Sequence, residues 1–157
     1  MQSAFLWIKQ KSMEGAFFFS RKYKVIKRSS SLKDGEERAR LSLSIHLTSN
    51  HRVLIVRLTG DLDHHTASDV RSKIEAELVK DIHTHLVLNL ENLQFMDSSG
   101  LGVILGRYKQ MSSKGGKMYL CSVQPSVFKL MEMSGLFQIL PTYQDECSAI
   151  SACEVAS

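Results

Sequence analysis

From residue 41 onward the sequence alternates between two periods, and that alternation limits the fold more than any other feature. Arg52 to Thr59 sets Val53, Ile55 and Arg57 against Leu54, Val56 and Leu58, the every-second-residue pattern of a strand buried largely on both faces. Leu86-Val87-Leu88-Asn89-Leu90 reads as a central strand, and Met118 to Val123 as another. Between and after them, apolar residues recur at helical spacing: Val70, Ile74 and Leu78, then Leu101, Ile104, Leu105 and Tyr108, then Val127, Leu130 and Met131.

The punctuation fits these periods. Ser42 to Thr48 is an opening strand, joined to the second by a tight turn at Ser49-Asn50-His51, and Gly60 ends the second strand. Thr66-Ala67-Ser68-Asp69 resembles a capping box with Asp in place of Glu. Gly115-Gly116 breaks the second helix, Pro125 takes a favoured first-turn position in the third, and Gly135 closes it. Phe137-Gln138-Ile139-Leu140 reads as a short last strand stopped by Pro141, and a terminal helix runs from about Gln144 to Ala152. The expected order is β-β-α-β-α-β-α-β-α. That is an α/β single domain with a mixed, mostly parallel sheet and helices packed over it.

Residues 41–157 make up this domain. Residues 1–40 carry ten Lys/Arg and four Asp/Glu, a balance of +6, whereas the remainder holds ten and twelve, a balance of −2. The basic character therefore belongs to the first quarter, and no nucleic-acid footprint is expected on the domain. The first forty residues show no clean period and read as a poorly ordered basic extension. A membrane-surface or nucleic-acid arm is the functional alternative. In a third reading they lie upstream of the natural start: Gly35-Glu36-Glu37 translates a purine-rich ribosome-binding run, and Leu41 is a misread TTG or CTG codon. The gene's nucleotide sequence decides this.

Cys121, Cys147 and Cys153 form no C-x-x-C pair, so neither a disulfide framework nor a zinc site is expected, and a reducing cytoplasm fits. The apolar stretches fall far short of a bilayer span, and Lys9, Lys11 and Glu14 interrupt any signal-peptide core.

Chemistry concentrates at Met96-Asp97-Ser98-Ser99-Gly100-Leu101-Gly102, where a buried strand gives way to a helix. Ligands and partners favour this end of a strand in open α/β sheets. Ser98 is suited to be the N-cap, with Ser99 as a rival, and the unpaired first-turn N–H groups favour negative charge nearby. Phosphate on Ser98 brings about −1.5 to −2 charges beside Asp97, altering the surface more than the fold. Gly102 and Gly106, four apart on one face, allow close approach, either of the sheet beneath or of a docking partner.

Other motifs carry less. Gly100-x-Gly102-x-x-x-Gly106 lacks the dinucleotide spacing and has no acidic residue after the next strand. Neither serine has a nucleophile-elbow context. Asp61-x-Asp63-His64-His65 lacks further ligand clusters and reads as a polar loop, so no metal or cofactor is expected.

Taken together, Arg57-Leu58-Thr59-Gly60-Asp61-Leu62-Asp63-His64-His65-Thr66-Ala67, Leu86 to Glu91, Phe95 to Gln110, Met133 to Phe137 and the closing Val155-Ala156-Ser157 resemble the STAS-domain anti-sigma factor antagonists, most closely those of the sigma-F type in spore-forming bacteria. The resemblance covers about three quarters of the chain and leaves out residues 1–40. It implies a non-enzymatic cytoplasmic regulator of transcription. The unphosphorylated form binds an anti-sigma factor that is also a serine kinase carrying its nucleotide, and so releases the sporulation sigma factor. Phosphorylation of Ser98 ends that binding, and a membrane-associated serine phosphatase restores it. The resemblance also implies a partner surface of Asp63, Asp97, Ser99, Gly100 and Gly102, with Arg107 further along the helix, and no direct contact with nucleic acid or insertion into membrane. Two alternatives remain. One is a STAS regulator of another sigma factor or stress-signalling complex. The other is a nucleotide-binding or nucleotide-hydrolysing enzyme, which incubation with labelled ATP and GTP would reveal.

Overall fold

The structure is a computed structural model that describes residues 42–156. The expected extension, residues 1–40, and the question of the natural start lie outside the described residues.

Strands β1 (Ser44–Asn50) and β2 (Val53–Leu62) pair antiparallel as a hairpin. The hairpin turns at His51 and Arg52, with His51 at φ 50°, so β1 runs two residues beyond the expected Thr48. Helix α1 (Ala67–Leu78) follows and buries the predicted stripe of Val70, Ile74 and Leu78, together with Ala67. Strand β3 (His85–Met96) lies parallel to β2, and helix α2 (Ser98–Ser113) leads to β4 (Lys117–Cys121). Helix α3 (Pro125–Met133), a single turn α4 (Leu136–Ile139), β5 (Thr142–Tyr143) and α5 (Glu146–Val155) complete the domain. The sheet order is β1-β2-β3-β4-β5, antiparallel only at β1–β2.

Both faces of the sheet are covered. Leu54, Val56, Leu58, Leu86, Leu88, Leu90 and Leu120 face α1, α2 and α3 in the larger core. The alternate residues Val53, Ile55, Val87, Tyr119 and Cys121 pack against Ala149 and Cys153 of α5. Burial pushes the Cys121 thiol up to about 12 and that of Cys153 to about 11, so both stay protonated.

This second face also holds a polar tie. Arg57 of β2 donates from Nε to Glu146 Oε2 at 2.8 Å and from a terminal nitrogen to Thr48 Oγ1 at 3.0 Å. Asn89 of β3 donates to the same Glu146 oxygen at 2.8 Å. Burial raises the Glu146 carboxyl, but the bonds from Arg57 and Asn89 and the Arg57 charge outweigh it, and the net shift is downward.

Several expectations need correction. Gly60 does not end β2: at φ 106° it absorbs the register shifts that bracket it, and the strand continues to Leu62. The central strand does not stop at Leu90. Pairing with β4 ends at Asn89↔Cys121, while β3 runs on to Met96 beside β2 alone. Glu91, Asn92 and Gln94 are polar because that projecting arm is exposed.

Phe137–Leu140 is not a strand. Gly135 takes the left-handed conformation at φ 73°, and bonds from Gln138 N to Gly135 O and from Leu140 N to Leu136 O close a helical turn. Leu136 and Leu140, four apart, both bury, so a short apolar run served a helical face. The last strand comes after Pro141, whose carbonyl accepts from Leu120 N at 3.0 Å. The order thus contains one short helix more than expected. The terminal helix starts at Glu146 rather than Gln144 because Asp145 caps it, accepting from Ser148 N at 2.7 Å.

Candidate functional site

The β3 arm delivers Met96 and Asp97 to the start of α2, alongside the end of β2, where Leu62 pairs with Met96. Asp97, not Ser98, is the N-cap. Its backbone is extended (φ −110°, ψ −172°), and its Oδ1 accepts from Ser99 N at 2.8 Å and from Gly100 N at 3.3 Å. A carboxylate at this position answers two orphan donors and the helix dipole together. Ser98 is therefore the first helical residue, and its exposed side chain makes no hydrogen bond among the described residues. Ser99 is half-buried behind it.

Gly100 supplies the tight packing that the sequence suggested for Gly102 and Gly106. A Cβ at Gly100 would run into Met96 Cγ and lie 3.0 Å from Leu62 Cγ. At Gly102 and Gly106 a Cβ would meet nothing within 4 Å. Their missing side chains serve no packing inside the domain, and Gly102 is exposed one turn along from Ser98.

The β2–α1 loop forms the other wall. Asp63 is buried, and its Oδ1 accepts from His65 N at 2.9 Å and from Thr66 N at 3.1 Å. Burial raises its carboxyl, but these bonds, with the nearby His65, bring it below the ordinary carboxylate value. Thr66 Oγ1 accepts from Asp63 N at 2.9 Å and donates to Asp61 O at 3.0 Å. This use explains why the expected capping box is absent: Thr66 has a helical backbone, makes no side-chain cap, and locks the loop instead. His64 projects from the loop, 62% exposed, with Nδ1 3.9 Å from Asp97 Oδ2. Its ring lies against His65 at a centroid distance of 3.8 Å.

Asp63, Asp97, Ser98, Ser99, Gly100 and Gly102 thus share one end of the sheet, formed by the β2–α1 loop and the first turn of α2. Arg107 is set apart. Its side chain is 12% exposed and pairs with Glu75 of α1, to which Gln110 also donates. Bonds from Arg107 and then Gln110 hold the Glu75 carboxyl below its ordinary value. Arg107 ties α2 to α1.

Two neighbours to which the sequence assigned no site role also lie here, His64 and the half-exposed Phe95 (50%) on the arm. The signal for His64 was its position after Asp63, in a loop that must turn toward the next strand end. Phe95 sits where β3 outruns β4, and strand periodicity alone does not show that. Among the described residues there is no group of three or more His, Cys, Asp or Glu able to hold a metal, and no helix long and apolar enough to cross a membrane.

Residues 44–149 match the STAS domain family. The chain is 51% identical over 117 residues to an anti-sigma F factor antagonist of Paenibacillus polymyxa, covering 74% of this chain and all of that one. In structure it resembles the anti-sigma factor antagonist SpoIIAA in its unphosphorylated form, with a TM-score of 0.64 and 32% identity, covering 71% of this chain and 97% of that one. It also resembles the Bacillus cell fate determinant SpoIIAA in the phosphorylated form, with a TM-score of 0.58 and 32% identity over 69% and 98%.

Proposed function

This chain belongs to the STAS-domain family and is an anti-sigma factor antagonist, and from that premise we propose that phosphate on Ser98 is its off-switch. The unmodified protein docks an anti-sigma factor serine kinase, with its bound nucleotide, on the surface formed by Asp63, Asp97, Ser98, Ser99, Gly100 and Gly102. Docking frees the sporulation sigma factor. The kinase transfers phosphate to the Ser98 hydroxyl, the partners separate, and a serine phosphatase resets the protein. In this reading the protein works in the cytoplasm, catalyses nothing, and touches neither nucleic acid nor membrane.

The observation that carries the proposal is the state of Ser98: helical in backbone, exposed in side chain, and free of any role in the cap. Because Asp97 already takes the Ser99 and Gly100 N–H groups, a phosphate on Ser98 cannot be absorbed by the same donors. It stays on the surface as about −1.5 to −2 charges. A partner packed against Gly102 and the first turn then meets a bulky dianion, while the domain loses no internal contact. A relative described in a phosphorylated form supports modification as part of the cycle.

The test is to incubate the purified protein with the anti-sigma factor kinase and ATP and to locate the phosphate by mass spectrometry. One phosphate on Ser98 is expected. Phosphate on Ser99 or elsewhere, or none, overturns the proposal.

A further inference from the structure

A dianion placed beside Asp97 on the surface gains from a positive neighbour, and the β2–α1 loop offers one. Four of the basic side chains, Arg57, Arg107, Lys80 and Lys114, pair with Glu146, Glu75, Glu77 and Asp81. His64 differs: its partner is Asp97 itself, on the oxygen that the helix cap leaves over. Asp97 Oδ1 holds Ser99 N and Gly100 N, while Oδ2 lies 3.9 Å from His64 Nδ1.

We infer that His64 is the counter-ion of the phosphorylated state, its imidazolium held between the Asp97 carboxylate and a phosphate on Ser98. The assignment rests on the phospho-switch reading and deepens it, since it names the residue that would tie the modified state to pH. Imidazole is the one ordinary side chain that changes charge between pH 5 and 8, the range in which a phosphoserine takes up its second charge. A positive imidazole beside the phosphate favours the dianion, so the phosphate loses its second proton at lower pH.

The loop is built to hold His64 in place. Asp63 accepts from the N–H groups of both residues that follow His64, and Thr66 fastens the loop to Asp61 O. The groups facing His64 are the Asp97 carboxylate at the start of α2 and the His65 ring on its own loop. The Asp63 Oδ1 accepts from the backbone of His65 and Thr66. His64 is exposed, so replacing it removes no core contact.

The experiment installs phosphoserine at position 98 during translation in the full chain and follows the phosphate by 31P NMR against pH, with and without His64→Gln. The phosphate of the native loop should titrate lower than that of H64Q by about half a pH unit, a modest shift because both groups meet solvent. H64Q should keep the native melting temperature. His65→Gln, which leaves the His64–Asp97 approach intact, should give the smaller displacement. Superimposable curves for the native and H64Q proteins would overturn the role of His64, and so would an H65Q displacement as large as that of H64Q. Because the phosphate is installed without the kinase, these outcomes are independent of whether the kinase chooses Ser98, which the mass-spectrometric experiment decides.

Discussion

Helices α2 and α5 start from the same device. Each follows an extended aspartate, Asp97 or Asp145, whose carboxylate accepts first-turn N–H groups. The residue that comes next has opposite surroundings in the two places. Glu146 turns onto the sheet and is held by Arg57 and Asn89, so the start of α5 is closed within the fold. Ser98 turns to solvent with nothing to hold, beside a loop that presents His64 and ahead of a glycine with open space around it. Side chains used for stability at one helix start are left over at the other. That difference separates a helix start closed within the fold from one left open at the surface, as the proposed phosphorylation of Ser98 requires.

The contrast is broken most strongly at α5. Glu146→Ala removes the acceptor of two donors and leaves the Arg57 charge without its carboxylate. With Arg57 38% and Glu146 21% exposed, solvent repays part of that loss, and a cost of about 2 kcal/mol in urea unfolding is expected. Ser98→Ala should change stability by less than about 0.5 kcal/mol in the same assay. Equal losses at the two positions would erase the distinction.

The glycines of α2 give the next contrast. Gly100→Ala forces Met96 and Leu62 to move and should cost about 1–2 kcal/mol. Gly102→Ala meets open space and, as a helix-interior replacement, should gain up to about 1 kcal/mol while weakening binding to the anti-sigma factor. Calorimetry alongside a binding titration checks both signs. A Gly102→Ala protein that is more stable and binds undiminished would remove Gly102 from the partner surface.

The smallest effect is in pH. Burial, aided by the Lys117 charge, lowers the His85 imidazole below its ordinary value, and Lys117 N donates to its Nδ1 at 3.2 Å. A group whose folded value is depressed stabilises the protein above its unfolded value and loses that contribution as pH falls through the folded one. Melting temperature should therefore begin to decline just below about pH 6.5, through His85. It should fall more steeply below about pH 4.3, where Glu146, Glu75 and Asp63, all depressed, take up protons. His85→Asn should flatten the first decline and leave the second.

Much of this was legible in the sequence because burial imposes periods. The helices of Val70, Ile74 and Leu78 and of Leu101, Ile104 and Leu105, and the doubly buried β2, all follow from spacing. Phe137–Leu140 misled because so short a run, with Phe137, Ile139 and Leu140 apolar, satisfies either period, and only the left-handed Gly135 and the burial of Leu136 and Leu140 decide for a helical turn. The outer half of β3 was hidden because Glu91, Asn92 and Gln94 lie on an arm paired on one side only. At the site, the motif put Ser98 at the start of α2 but gave it the cap, which the neighbouring Asp97 carboxylate takes instead. Arg107 looked available in one dimension and is drawn inward by Glu75, four helix turns of sequence having said nothing about which face of α1 lies opposite.

The central claim is that charge on Ser98 changes docking and not folding. Its most direct test titrates the anti-sigma factor with the unmodified protein and with the protein carrying phosphoserine at 98, both with melting temperatures recorded. The account predicts binding weaker by about a hundredfold, equivalent to about 3 kcal/mol, at an unchanged melting temperature. Equal affinity of the two forms, or weaker binding accompanied by a collapse in melting temperature, would contradict it.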